Sequence, residues 1–80
     1  MQLEVSILNQ KEVLFKGKAK SIMLPGESGV FEVLPYHKRL ISRLISGIMF
    51  VDDARFSVLR GIVKVSLNKV TIIIEEGKAI

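Results

Sequence analysis

The 80-residue chain is 49% hydrophobic, with 25% charged residues, one histidine, no cysteine and a formal net charge of +4. That is one domain, 1–80, without disulfides or a Cys/His zinc set to support a small core, so apolar burial must supply nearly all of its stability. Met1-Gln2-Leu3-Glu4 has neither a basic n-region nor an apolar h-region, and no run reaches about 18 apolar residues, so the expectation is a soluble chain without a targeting segment.

Ile, Val and Thr make up a quarter of the chain and alternate with polar residues over short runs, the period of half-buried strands. Leu3, Val5 and Ile7 share one face of a first strand, and Asn9-Gln10-Lys11-Glu12 connects it to Val13–Lys16. A next strand is predicted with Lys18, Lys20 and Ile22 on one face and Ala19, Ser21 and Met23 on the other, stopping at the Leu24-Pro25-Gly26 corner. Val30–Leu34 follows Glu27-Ser28-Gly29 and ends at Pro35; Ile48–Val51 and Phe56–Leu59 flank the turn Asp52-Asp53-Ala54. Val63, Val65 and Leu67 form the apolar face of a further strand, and Asn68-Lys69 leads into Val70, Ile72 and Ile74.

Leu40, Ile41, Leu44 and Ile45 recur at helical spacing opposite Lys38, Arg39 and Arg43, but the run is short and bounded by Pro35 and Gly47, so the residues alone leave helix and strand open. The fold class is all-β: short strands with frequent turn signals and little helix to cover a sheet imply two sheets packed face to face.

No residue set has the makings of a catalytic site. A lone His37 makes neither a triad nor a metal site, and Asp52-Asp53 and Glu75-Glu76 are strand or turn neighbours whose side chains diverge. Gly26 and Gly29 lack the Lys-Ser/Thr of a phosphate loop. Phe15, Phe31, Phe50 and Phe56 fall in core-like runs, leaving Tyr36 as the one loop aromatic, too little for a base-stacking platform. The expectation is therefore no enzyme, no cofactor, no metal and no nucleic-acid partner.

The segment Leu24-Pro25-Gly26-Glu27-Ser28-Gly29-Val30-Phe31-Glu32-Val33-Leu34-Pro35-Tyr36-His37 resembles the signature of the epsilon subunit of F-type ATP synthases, a Leu-Pro-Gly corner followed by Gly-x-Phe-Gly-Val-Leu-Pro-Gly-His. Leu14-Phe15-Lys16-Gly17, Gly61-Ile62-Val63-Lys64-Val65 and Asn68-Lys69-Val70-Thr71-Ile72 extend the likeness over nearly the whole chain. The resemblance implies a sandwich of about ten short strands, with Leu40–Ile45 a strand. It implies a non-catalytic rotor subunit in the central stalk, on the cytoplasmic side of an energy-coupling membrane or the organelle equivalent.

By position, Glu27, Ser28, Gly29, Val30, Tyr36, His37 and Lys38 would face the c-ring, at one end of the molecule, and Leu40 and Ile41 would face the gamma subunit. Membrane contact would come only through the complex, and the isolated chain would be monomeric or weakly self-associating. Glu32 and Tyr36 stand where the family has glycine, Lys38-Arg39 replace a small residue and a proline, and Val30 stands where many relatives are acidic. The family continues into a C-terminal helical hairpin that carries inhibition of ATP hydrolysis, whereas this sequence stops at Gly77-Lys78-Ala79-Ile80. The rival expectation is a freestanding basic β-domain that binds nucleic acid or an anionic membrane through Lys38, Arg39 and Arg43 on an amphipathic helix.

Overall fold

The computed structural model describes residues 2–75. Glu76 and the terminal Gly77-Lys78-Ala79-Ile80 lie outside the described residues. Nine strands run in chain order: β1 (Leu3–Leu8), β2 (Val13–Ala19), β3 (Ile22–Gly26), β4 (Gly29–Val33), β5 (Leu40–Leu44), β6 (Gly47–Val51), β7 (Ala54–Val58), β8 (Gly61–Ser66) and β9 (Lys69–Ile74). They form one hydrogen-bonded path, β2-β1-β9-β8-β5-β3-β6-β7, with β4 on the outer side of β3.

The path folds over on itself between β5 and β3, which share the single register pair Gly26↔Leu44. Past that point the Ile45 amide still donates to the Pro25 carbonyl at 2.9 Å, and the chain then enters β6, which pairs with β3 at Ile22↔Val51 and Met23↔Phe50. The β5–β6 stretch thus leaves the layer β2-β1-β9-β8-β5 and joins the layer β4-β3-β6-β7, as corner strands of sandwiches do. Alternation puts Leu3, Val5, Ile7, Val63, Val65, Val70, Ile72 and Ile74 of the first layer against Ile22, Leu24, Val33, Met49, Val51, Phe56 and Val58 of the second, all buried in one core. Each such side chain contributes about 1.5–3 kcal/mol.

Leu40–Leu44 is a strand, which removes the amphipathic-helix rival as formulated. Its register with β8, from Leu40↔Val65 to Leu44↔Gly61, sends Leu40 and Leu44 toward the core and Ile41 and Arg43 outward. The helical spacing arises because Ile41, an apolar residue, sits on the outward face.

Three other expectations are corrected. The strand predicted across Lys18–Met23 is broken, because β2 runs unbroken through Gly17 to Ala19 and the chain bends at Lys20–Ser21. Asp52, from the β6–β7 turn, makes that bend: its Oδ1 accepts from the amides of Lys20 at 3.0 Å and Ser21 at 3.1 Å, and its own amide donates to the Ser21 carbonyl. The irregular step lets Ala19 and Ile22 both face inward, which a period of two forbids. Leu67 is no strand residue; with Asn68 it fills a two-residue turn closed by Ser66↔Lys69, both at positive φ (51° and 62°), the I′ geometry. Phe50 lies on the outer face opposite Met23, while Phe15, Phe31 and Phe56 pack into or against the core.

Candidate functional site

Among the described residues β4 pairs on one side only, with β3, which leaves its other edge without a strand partner there. Its flanks carry the seven residues expected to face a ring. Glu27 and Ser28 are exposed at the tip of the β3–β4 hairpin, closed by Gly26↔Gly29, and Val30 is 67% exposed on the outward face of the strand. Tyr36, His37 and Lys38 lie past the other end of β4, in the connection to β5. Gly29 to Val33 spans roughly 13 Å at the rise of a strand. The two groups are therefore brought together along an edge and not at one end of the molecule.

Different forces shape the two glycines of the hairpin. A Cβ on Gly26 would stand 2.7 Å from Cε1 of Phe31, so the absent side chain makes room for the ring that covers the corner. Gly29 has open space around it but a φ of +124°, reserved for glycine. Glu32, at a position where the resemblance has glycine, needs no special backbone: it sits in β4 and accepts from Ser21 Oγ at 2.7 Å.

The second turn is held from two sides. The His37 amide donates to the Leu34 carbonyl at 3.1 Å, and His37 Nδ1 is 2.8 Å from the Lys38 carbonyl, an acceptor that requires hydrogen on Nδ1. The Tyr36 amide donates to Oδ1 of Asn68 in the β8–β9 turn at 2.7 Å. Tyr36 itself keeps a φ of 68°, so a side chain stands where glycine would be free of strain, at about 1–2 kcal/mol.

Leu40 and Ile41, grouped in the sequence as one apolar surface, separate onto opposite faces of β5. Leu40 packs against the core, and Ile41 is 72% exposed. Around Ile41 the outer face of the first layer holds residues that sequence reasoning missed. Arg43, Ile62, Ile73, Leu8 and Val13 face one another in register across β5, β8, β9, β1 and β2. Ile62, Ile73 and Val13 in that row are exposed. The uninterrupted Ile72-Ile73-Ile74 was the available signal, since a strand with one wet face has no use for a middle isoleucine. Leu67 was the other missed residue, a leucine placed beside asparagine in a turn that asks for positive φ.

Comparison with known proteins gives the family. A model of the ATP synthase delta/epsilon chain β-sandwich domain matches residues 2–79. The ATP synthase epsilon chain of Leptospira interrogans is 31% identical over 80 residues, covering 95% of this chain and 63% of the relative. That of Sulfurimonas denitrificans is 36% identical over 84 residues, with 99% and 65% covered. This chain thus spans a little under two thirds of the length of these relatives. Among solved structures, a chain of the Euglena gracilis mitochondrial ATP synthase, a cryo-EM structure of OSCP, F1 and c-ring, superposes with a TM-score of 0.91 at 20% identity, covering 98% of this chain and 53% of that one. A chain of the Tetrahymena thermophila central stalk and c-ring gives 0.81 at 14%, covering 96% and 66%. The fold is shared with both, and the chain belongs to the family of ATP synthase delta/epsilon chain β-sandwich domains.

Proposed function

We propose that this chain is a non-catalytic rotor component of an ATP synthase, docked in the central stalk on the gamma subunit and the c-ring, peripheral to the energy-coupling membrane. In this role it carries torque between ring and stalk as a rigid body and does no chemistry of its own. The observation that carries the reading is the outer edge of β4, a five-residue strand that among the described residues pairs only with β3 and lies between two shaped turns, in a family whose named relatives are epsilon chains.

On this reading Glu27, Ser28, Gly29 and Val30 meet the loops of the ring, with Tyr36, His37 and Lys38 continuing the contact along the edge. A polar strip with one exposed valine suits the rim of an interface. The gamma subunit takes the outer face at Ile41, Ile62 and Ile73, while Leu40 supports that face from the core side. The rigidity that torque needs follows from a layer-switching β5–β6 stretch and one shared core.

The test is co-elution of the 80-residue chain with the gamma subunit of its own synthase in size-exclusion chromatography. A one-to-one complex is expected, weakened at least about tenfold by Ile41→Asp, since a carboxylate there must be desolvated. A chain that is folded by circular dichroism and yet does not co-elute would overturn the stalk assignment.

A further inference from the structure

The turn holding Tyr36 and the β8–β9 turn meet at one end of the molecule, joined by the bond from the Tyr36 amide to Asn68 Oδ1. Each turn sends one large apolar side chain outward. Leu67 is 83% exposed and Tyr36 78%, the two most exposed large hydrophobic residues among the described residues. Both sit at positive φ, where a β-carbon is unfavourable, so neither the backbone nor the core accounts for a leucine and a tyrosine at these positions.

Cations surround the pair. Lys18 and Lys20 line a depression together with Leu67, Asn68, Gln2 and Glu4, Lys69 follows Asn68 directly, and Lys38 lies two residues past Tyr36. Glu4 is the one acid of that depression, and Asp52 and Asp53 border Lys20 on its other side.

We propose that this end is a lipid-contact tip that attaches the chain reversibly to an anionic bilayer surface. Leu67 enters the boundary between headgroups and acyl chains, the Tyr36 ring stays at headgroup depth with its hydroxyl in water, and Lys18, Lys20, Lys38 and Lys69 meet the lipid phosphates. Two side chains protruding singly from separate turns suit a fluid phase, which closes around each. A protein partner would need two preformed sockets at a fixed spacing. The Asn68 bridge ties the two turns to each other, so they present their side chains from one joined end. A second copy of the chain is a poor occupant, because like lysine rings would face each other. The resemblance places membrane contact only within the complex; because Tyr36 and Lys38 cannot meet ring loops and lipid at once, this tip serves the chain outside its complex, and its test is separate from gamma co-elution.

The experiment is co-sedimentation of the 80-residue chain with vesicles of phosphatidylcholine containing about 30 mol% phosphatidylglycerol, and with phosphatidylcholine alone, at about 50 and 300 mM salt. Binding is expected only with the anionic lipid, with affinity falling about tenfold or more at the higher salt. Leu67→Asp with Tyr36→Asp should abolish it, and Leu59→Asp, on an exposed bend at the opposite end, should leave it unchanged. Because all three positions are exposed, circular dichroism should show folded chains throughout. Absence of binding to anionic vesicles overturns the proposal. So does full binding by the Leu67/Tyr36 double variant, which would reduce the contact to lysines alone, and so does equal loss in Leu59→Asp, which would place it elsewhere.

Discussion

Phe15 of β2 and Phe56 of β7 meet edge to face, their centroids 5.9 Å apart and their planes at 72°, and so join the two end strands of the hydrogen-bonded path by side chains where no backbone bond connects them. Phe56→Ala should cost about 3–5 kcal/mol for a buried ring, and the half-buried Phe15 less. A double-mutant cycle in urea should return a coupling of about 0.5–1.5 kcal/mol beyond area burial. Additive single effects would mean that the rings pack on the core independently and the seam is held elsewhere.

The two hairpin glycines should fail for different reasons. Gly26→Ala drives a methyl into the Phe31 ring and should lose about 1–3 kcal/mol, with part returned when Phe31→Leu is added. Gly29→Ala meets no atom but puts a β-carbon at a φ of +124°, a strain of about 1–3 kcal/mol that removing a neighbour cannot relieve. Rescue of both variants by Phe31→Leu would show that the φ of Gly29 is not the constraint.

Asp52 should be the side chain that makes the bend between β2 and β3. Asp52→Gly keeps the positive φ of 51° accessible while deleting the acceptor shared by Lys20 and Ser21, and should cost about 1–2 kcal/mol and speed amide exchange at both residues. Asp52→Asn retains an acceptor oxygen and tolerates the backbone, so it should recover most of the loss. If Asp52→Gly matches the parent in stability and exchange, the bend forms without it.

Leu67→Gly and Tyr36→Gly should each raise the urea midpoint at unchanged m-value. Relief of about 1–2 kcal/mol of left-handed strain outweighs the roughly 0.5–1 kcal/mol of added backbone entropy, and neither side chain gives up much burial. The same variants should bind anionic vesicles more weakly, which would make the tip a place where stability is traded for contact. Destabilisation by either glycine would mean that the side chain packs where the structure leaves it exposed.

Alternation over Leu3–Ile7, Val63–Val65 and Val70–Ile74 made the first layer legible in the sequence, because those strands bury one face each and the pattern is local. The Lys20–Ser21 bend was not legible, since its cause is a carboxylate 31 residues further on. Leu40–Ile45 misled for a related reason. Its period reads as helical, and pairing with β8, a long-range relation, decides for strand. That Glu27, Ser28, Tyr36, His37 and Lys38 fall in turns and loops was legible from the neighbouring Pro and Gly, whereas their arrangement along β4 was not, because the length of that strand separates the two turns in space. The opposite facings of Leu40 and Ile41, by contrast, follow from a strand period that family position alone does not convey.

β1 lies between β2, its neighbour in the chain, and β9, with which it pairs in parallel from Glu4↔Lys69 to Leu8↔Ile73. During synthesis the β1–β2 hairpin emerges before the other strands and is marginal alone, with one flank of β1 bare of β9 until Lys69–Ile74 has left the ribosome. Over that interval the flank is a template for any passing strand. A ribosome stalled within β8 would therefore hold a nascent chain that cannot finish its first layer, and a chaperone crosslinked to Leu3, Val5 or Ile7 at that stage should be released as β9 appears.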